Sequence, residues 1–169
     1  MELLKRKEVT ISKESFSFIH LEGDNKDKNI FFFHATGFNA ETYKPFFLKL
    51  HKLLDCQYSI FALDQRGHGL SKASAIPSKL TSWKTYFEDG KKFLDTFISS
   101  ENILMGHSMG GVVASRLSFD FKDKIYDENK LYSTEDDGYE DWMKQTKYDS
   151  DDIKKNQVFS DRFNLNVFN

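Results

Sequence analysis

Ser108 sits in Gly106-His107-Ser108-Met109-Gly110-Gly111. A serine hydroxyl becomes a strong nucleophile when a base takes its proton. Its chemistry is then acyl transfer: attack on an ester, thioester or amide carbonyl through an acyl-serine. Glycines two before and two after the serine suit a sharp turn in which side chains would collide. The apolar run NILMGH, 102–107, precedes the serine, and the small-residue stretch MGGVVASRLSF follows it. That order puts Ser108 between a strand and a helix. Free N–H groups and the positive end of the helix dipole then face an oxygen on which charge develops. The plainer reading is a glycine-rich turn without chemistry, but a strand before it and GG with a helix after it argue against that. A phosphate loop is disfavoured because no lysine follows at the required spacing.

A serine nucleophile needs a base, and the histidines are His20, His34, His51, His68 and His107, with none after Ser108. His107 adjoins the serine, and the turn points successive side chains apart. His34 and His68 lie in the loops HATGFN and DQRGHGLS and read as residues that brace those loops. Asp64 and Arg66 are expected to pair within the second of them. His20 and His51 read as partly exposed, one on a strand and one on a helix. With one cysteine and no histidine pair at ligand spacing, no metal or cofactor is implied.

The elements that must position Ser108 alternate. Residues 8–22 read as a pair of half-buried strands, with Val9 and Ile11, then Phe16 and Phe18, on alternating positions. NIFFFH, 29–34, is a continuous apolar run, as for a strand covered on both faces. Residues 41–54 place Phe46, Phe47, Leu50, Leu53 and Leu54 at helical spacing, with Pro45 tolerated in the first turn. YSIFALD, 58–64, is another buried strand. Residues 82–99 form a helix with Trp83, Tyr86, Phe87, Gly90, Phe93, Leu94, Phe97 and Ile98 on one stripe. Strand and helix in turn imply an α/β fold: a partial doubly wound, mainly parallel sheet with helices on both faces. The Gly-bearing loops then share the carboxyl edge of the sheet, where such folds carry their sites.

With 169 residues, 39% apolar and 30% charged, the chain can bury a real core, and 17 phenylalanines enrich it. A net charge of −2 selects neither nucleic acid nor an anionic membrane. No run approaches a membrane span, and MELLKRKEVTISKESFSF lacks a signal-peptide core. The lone Cys56 fits a reducing, cytoplasmic setting.

Four motifs stand in order: HATGF at 34–38, YKP at 43–45, DQRGHGLS at 64–71 and GHSMGG at 106–111. Together they resemble the N-terminal half of an α/β-hydrolase, in the GHSMGG subgroup with an HAxGF loop, over roughly residues 8–119. The resemblance implies Ser108 as nucleophile and Met109 N–H as one oxyanion donor. It implies a second donor from the first loop, Thr36 N–H, with Gly37 as the alternative. His34, Gly37, Phe38 and His107 would line the site. A serine rather than an aspartate at this position favours acyl substrates over epoxides and carbon–halogen bonds.

The resemblance also implies an acid and a histidine after later strands, and none of the residues after Ser108 is a histidine. Residues 1–119 therefore read as half of such a domain, with weak or no esterase, lipase or acyl-hydrolase activity alone. The alternative is a hydrolase-derived binding protein without catalysis. Composition shifts near Phe119: 16 basic and 13 acidic residues before it (net +3), 8 and 13 after it (net −5). Residues 120–169 read as an acidic-aromatic, partly disordered tail or a partner-docking segment, with helices suggested at 137–145 and 150–163. Ending after the helix that follows Ser108 leaves strand 102–107 without its next parallel neighbour, so self-association or a partner chain at that unpaired edge is expected. The partner implied for the site itself is a small-molecule acyl substrate.

Overall fold

The computed structural model describes residues 3–80 and 82–121. The helices suggested at 137–145 and 150–163, and nearly all of the 120–169 segment, lie outside the described residues. Among the described residues five strands form one sheet: β1 (Leu4–Ile11), β2 (Glu14–Leu21), β3 (Lys28–Phe33), β4 (Ser59–Leu63) and β5 (Glu101–Gly106). Their order is β1-β2-β4-β3-β5. The β1–β2 and β2–β4 pairs are antiparallel, and β3 runs parallel to both β4 and β5. Three helices connect and cover the sheet: α1 (Lys44–Leu53), α2 (Lys84–Phe97) and α3 (Met109–Asp120).

The apolar runs behave as strands covered twice. Phe31, Phe33, Phe61 and Leu63 point into one core with Phe93 and Leu94 of α2 and Val113 and Leu117 of α3. Ile30, Phe32, Ile60 and Ala62 point the other way, onto Phe47 of α1 and Tyr43. Alternate residues of β3 and β4 thus feed opposite layers, the period-two geometry of a strand. This places the carboxyl ends of β3, β4 and β5 side by side, and their three loops with them.

Three expectations need correction. The first strand starts at Leu4 and runs through the charged stretch KRKE. It is an edge strand whose outer residues Lys5–Glu8 are exposed, so alternation is lost. In α1 the buried positions are Phe47 and His51, one turn apart on the same face, while Leu53 is 70% exposed at the helix end. His51 is therefore a core residue, and its Nε2 has no hydrogen-bond partner among the described residues.

His20 is half-buried on β2, its ring 4.6 Å from that of Phe61 and its Nδ1 2.9 Å from Lys7 Nζ. Burial, and then the Lys7 charge, push its pKa down to about 4. The folded chain holds His20 neutral while the unfolded chain titrates near the ordinary 6.5. Between these values the unfolded state binds more protons, so this contribution is complete above the upper value and is lost as pH falls toward the lower. Urea midpoints measured across that window should fall on acidification, and His20→Phe should flatten the fall.

Candidate active site

The junction of β5 and α3 is tight for steric reasons that can be named atom by atom. Ser108 adopts φ 51, ψ −116, outside the regions open to most L-residues. A Cβ on Gly106 would lie 2.2 Å from Gly110 O, and one on Gly110 only 1.9 Å from Phe33 O. The strand end, the turn and the first turn of α3 thus need glycine on both sides of the serine. His107 N–H bonds Phe33 O at 3.0 Å, extending the β3–β5 ladder to the residue before it. Ser108 is exposed, and its side chain caps no amide of α3. The carbonyls of His107 and Ser108 take the N–H groups of Gly110 and Gly111 at 2.9 and 2.8 Å. Met109 N–H is left with no acceptor among the described residues, as expected of a first helical residue.

The loop after β3 comes to meet this turn. Phe38 N–H bonds Ala35 O at 3.1 Å, closing a turn in which Gly37 takes φ 77. A type II turn requires that sign at its third residue. Thr36 N–H also has no acceptor among the described residues. Thr36 Oγ1 donates to Met109 Sδ at 3.3 Å. The two residues expected as oxyanion donors are thereby in contact. Phe38 is 44% exposed, with its ring 6.2 Å from that of His107.

The histidines near the turn are engaged elsewhere. His34 is fully buried; its Nδ1 donates to Ala35 O at 2.8 Å and its Nε2 accepts Gln65 N–H at 2.9 Å. Both ring nitrogens are used, which fixes one neutral tautomer, and burial holds its pKa below the ordinary value. Gln65 Nε2 returns a bond to His34 O at 2.7 Å, so His34 ties the β3 loop to the β4 loop. His68 Nδ1 donates to Arg66 O at 2.9 Å. Tyr43 Oη bonds His107 Nδ1 at 2.8 Å and accepts Ala35 N–H at 3.3 Å. In the sequence Tyr43 is legible only as part of a helix-start motif. The available signal was general: a buried tyrosine hydroxyl seeks a partner.

Asp64 and Arg66 do not pair with each other, contrary to expectation. Asp64 is fully buried and accepts Arg6 Nη1 at 2.6 Å, Ala40 N–H at 2.8 Å and Leu70 N–H at 3.0 Å. Arg66 forks onto Asp89 of α2 at 2.8 and 3.0 Å and reaches Glu14 of β2 at 2.6 Å. Backbone amides and an incoming arginine saturate Asp64, which leaves Arg66 to point the other way. Its bonds to Asp89 hold the guanidinium more firmly protonated than usual. Burial pushes the Asp89 carboxyl up against the pull of that guanidinium, and the two-point geometry keeps the pair ionised.

No helix among the described residues is long and apolar enough to cross a membrane. The fold is shared with solved hydrolases. An epoxide hydrolase from Vigna radiata, VrEH1, superposes with a TM-score of 0.62 at 20% identity, over 74% of this chain and 39% of that one. The thioesterase domain from the curacin biosynthetic pathway gives 0.64 at 18% identity, over 73% of this chain and 44% of that domain. In sequence, the chain is 27% identical over 108 residues to Protein ABHD8 of Homo sapiens and of Bos taurus. That match covers 62% of this chain and 23% of the relative, so the chain spans about a quarter of those proteins' length. Residues 24–126 match the family described as serine aminopeptidase, S33. They contain all four sequence motifs and both loops that meet at Ser108, and the chain belongs to this S33 family of α/β-hydrolases.

Proposed function

We propose that residues 1–119 form the nucleophile-bearing half of a serine hydrolase site. Ser108 is the nucleophile that attacks the carbonyl of a small-molecule ester, thioester or amide. Met109 N–H and Thr36 N–H receive the oxyanion. The observation that carries the reading is Ser108 held at φ 51 beside Met109, whose N–H, like that of Thr36, has no acceptor among the described residues and whose thioether bonds the Thr36 hydroxyl at 3.3 Å. Donors fixed before charge develops cost no reorganisation in the transition state, and losing one typically costs about 3 kcal/mol of its stabilisation. Phe38, exposed beside His107, offers an apolar wall for an acyl or leaving group. Gly37 sets the turn that presents Thr36.

Among the described residues Ser108 Oγ makes no hydrogen bond to a histidine: both His34 nitrogens are taken, and Nδ1 of His68 and of His107 is bonded elsewhere. A serine without a base reacts slowly near neutral pH. That favours a second reading, a non-catalytic binding protein on the same scaffold. A fluorophosphonate probe followed by intact-mass analysis separates the two. A single adduct, absent from Ser108→Ala, is the expected result. A folded chain that takes up no probe would sink the nucleophile assignment and leave the binding reading.

A further inference from the structure

We propose that Tyr43 is a positioning residue for Ser108, through a hydroxyl that joins the β3 loop to the β5–α3 turn. Tyr43 Oη accepts Ala35 N–H at 3.3 Å and lies 2.8 Å from His107 Nδ1, the nitrogen to which its own proton is left to go. Thr36 Oγ1 bonds Met109 Sδ at 3.3 Å. Consecutive residues of one loop, 35 and 36, are thus tied to the residues on either side of Ser108. The separation between the Thr36 and Met109 amides is set by two short side-chain links rather than by loop backbone alone.

Tyr43 is well placed to hold its link. It closes a 3-10 turn, Ala40–Tyr43, whose entry is capped by Asn39 Oδ1 and whose Ala40 N–H is anchored on Asp64. Its ring is buried against Phe32 at 4.6 Å and Phe47 at 6.2 Å. The phenol is therefore fixed by packing, with its oxygen at the turn and its ring edge-on to that of His107 at 6.0 Å. Burial raises its pKa, so it remains a donor at neutral pH. Because it donates to Nδ1, it also selects the Nε2–H tautomer of neutral His107.

This inference rests on the nucleophile reading for its catalytic meaning, but its test does not. Tyr43→Phe keeps the ring and removes the oxygen, with Tyr86→Phe on α2 as control. The full chain, labelled with 15N, is followed at the His107 ring and at the amides of Ala35, Thr36 and Met109. Tyr43→Phe should release His107 into a mixture of tautomers, speed Ala35 amide exchange about tenfold, and move the Thr36 and Met109 amide resonances. Tyr86→Phe should do none of these. Fluorophosphonate labelling of Ser108 should slow about tenfold, as for one lost hydrogen bond. An unchanged His107 tautomer, or shifts confined to His107 with Thr36, Met109 and the labelling rate unmoved, would overturn the proposal. If the wild type takes no probe, the nucleophile reading fails by itself, and the amides of Thr36 and Met109 still decide whether Tyr43 positions them.

Discussion

Asp64→Ala is expected to destabilise the chain by about 3–5 kcal/mol, the range for breaking a buried ion pair from one side. Asp64 is fully buried and serves three donors at once: Arg6, Ala40 N–H and Leu70 N–H. The arginine alone does not set the size of the loss. Its side chain is 27% exposed and keeps Glu41 at 2.7 Å, so part of its charge returns to water. The two amides have no such relief, and each orphaned donor adds about 1–3 kcal/mol. Asp64→Asn should lose less, since one side-chain oxygen remains to accept. Urea unfolding measures this directly, as a lower midpoint at unchanged slope. An Asp64→Ala chain within about 1 kcal/mol of wild type would mean that the carboxylate does not organise these loops. Fluorophosphonate labelling should fall with it, because Ala40 leads into the turn that carries Tyr43.

Gly110→Ala is expected to cost about 3 kcal/mol or more, at the upper end for overpacking. The added methyl would meet Phe33 O at 1.9 Å, Phe33 C at 2.3 Å and His34 O at 2.8 Å. All three are backbone atoms at the end of β3, which is hydrogen-bonded on both sides, so no rotamer change makes room. The neighbouring glycine supplies the control. A Cβ on Gly111 has its nearest contact at 3.6 Å. Alanine there also gains about 1 kcal/mol of helix propensity, so Gly111→Ala should be neutral or stabilising. Thermal melts of the two variants should therefore diverge in opposite directions from wild type. Equal melting temperatures would contradict the close approach of α3 to β3.

The contrast between those glycines explains what the sequence made legible. The demand for Gly106 is local, set by Gly110 and Gly111 of the same turn, so it shows in the motif itself; the demand for Gly110 comes from Phe33 and His34 at the end of β3. Strands β3 and β4 were readable from short runs of chain too: Ile30–Phe33 and Ile60–Leu63 are apolar at every position because both faces are covered. The first strand was half hidden, since an edge strand with one wet face can carry Lys5, Arg6, Lys7 and Glu8 in succession. Its turn was hidden too, because Ser12 and Lys13 adopt φ 52 and 71 without the glycine or asparagine that marks such turns. Partner choice was the least legible. Arg66 finds Asp89, 23 positions away, and Asp64 finds Arg6, 58 away. No spacing rule selects among acidic residues at that range. The same holds for Tyr43 and His107, which meet only when two loops from neighbouring strands are stacked.

The hairpin of β1 and β2 lies wholly before residue 24, where the family match begins. Yet it supplies Arg6 to Asp64, Glu14 to Arg66, and the carbonyls of Ser17 and Ser15 to the amides of Asp64 and Lys72. The boundary drawn by kinship and the boundary drawn by mechanics therefore differ by one hairpin. A polypeptide begun at residue 24 would retain Ser108, Met109 and Thr36, and would leave Asp64 without Arg6 and Arg66 with Asp89 alone. The hairpin works as an outside buttress: it takes no part in the motifs, and it braces the loop beside them.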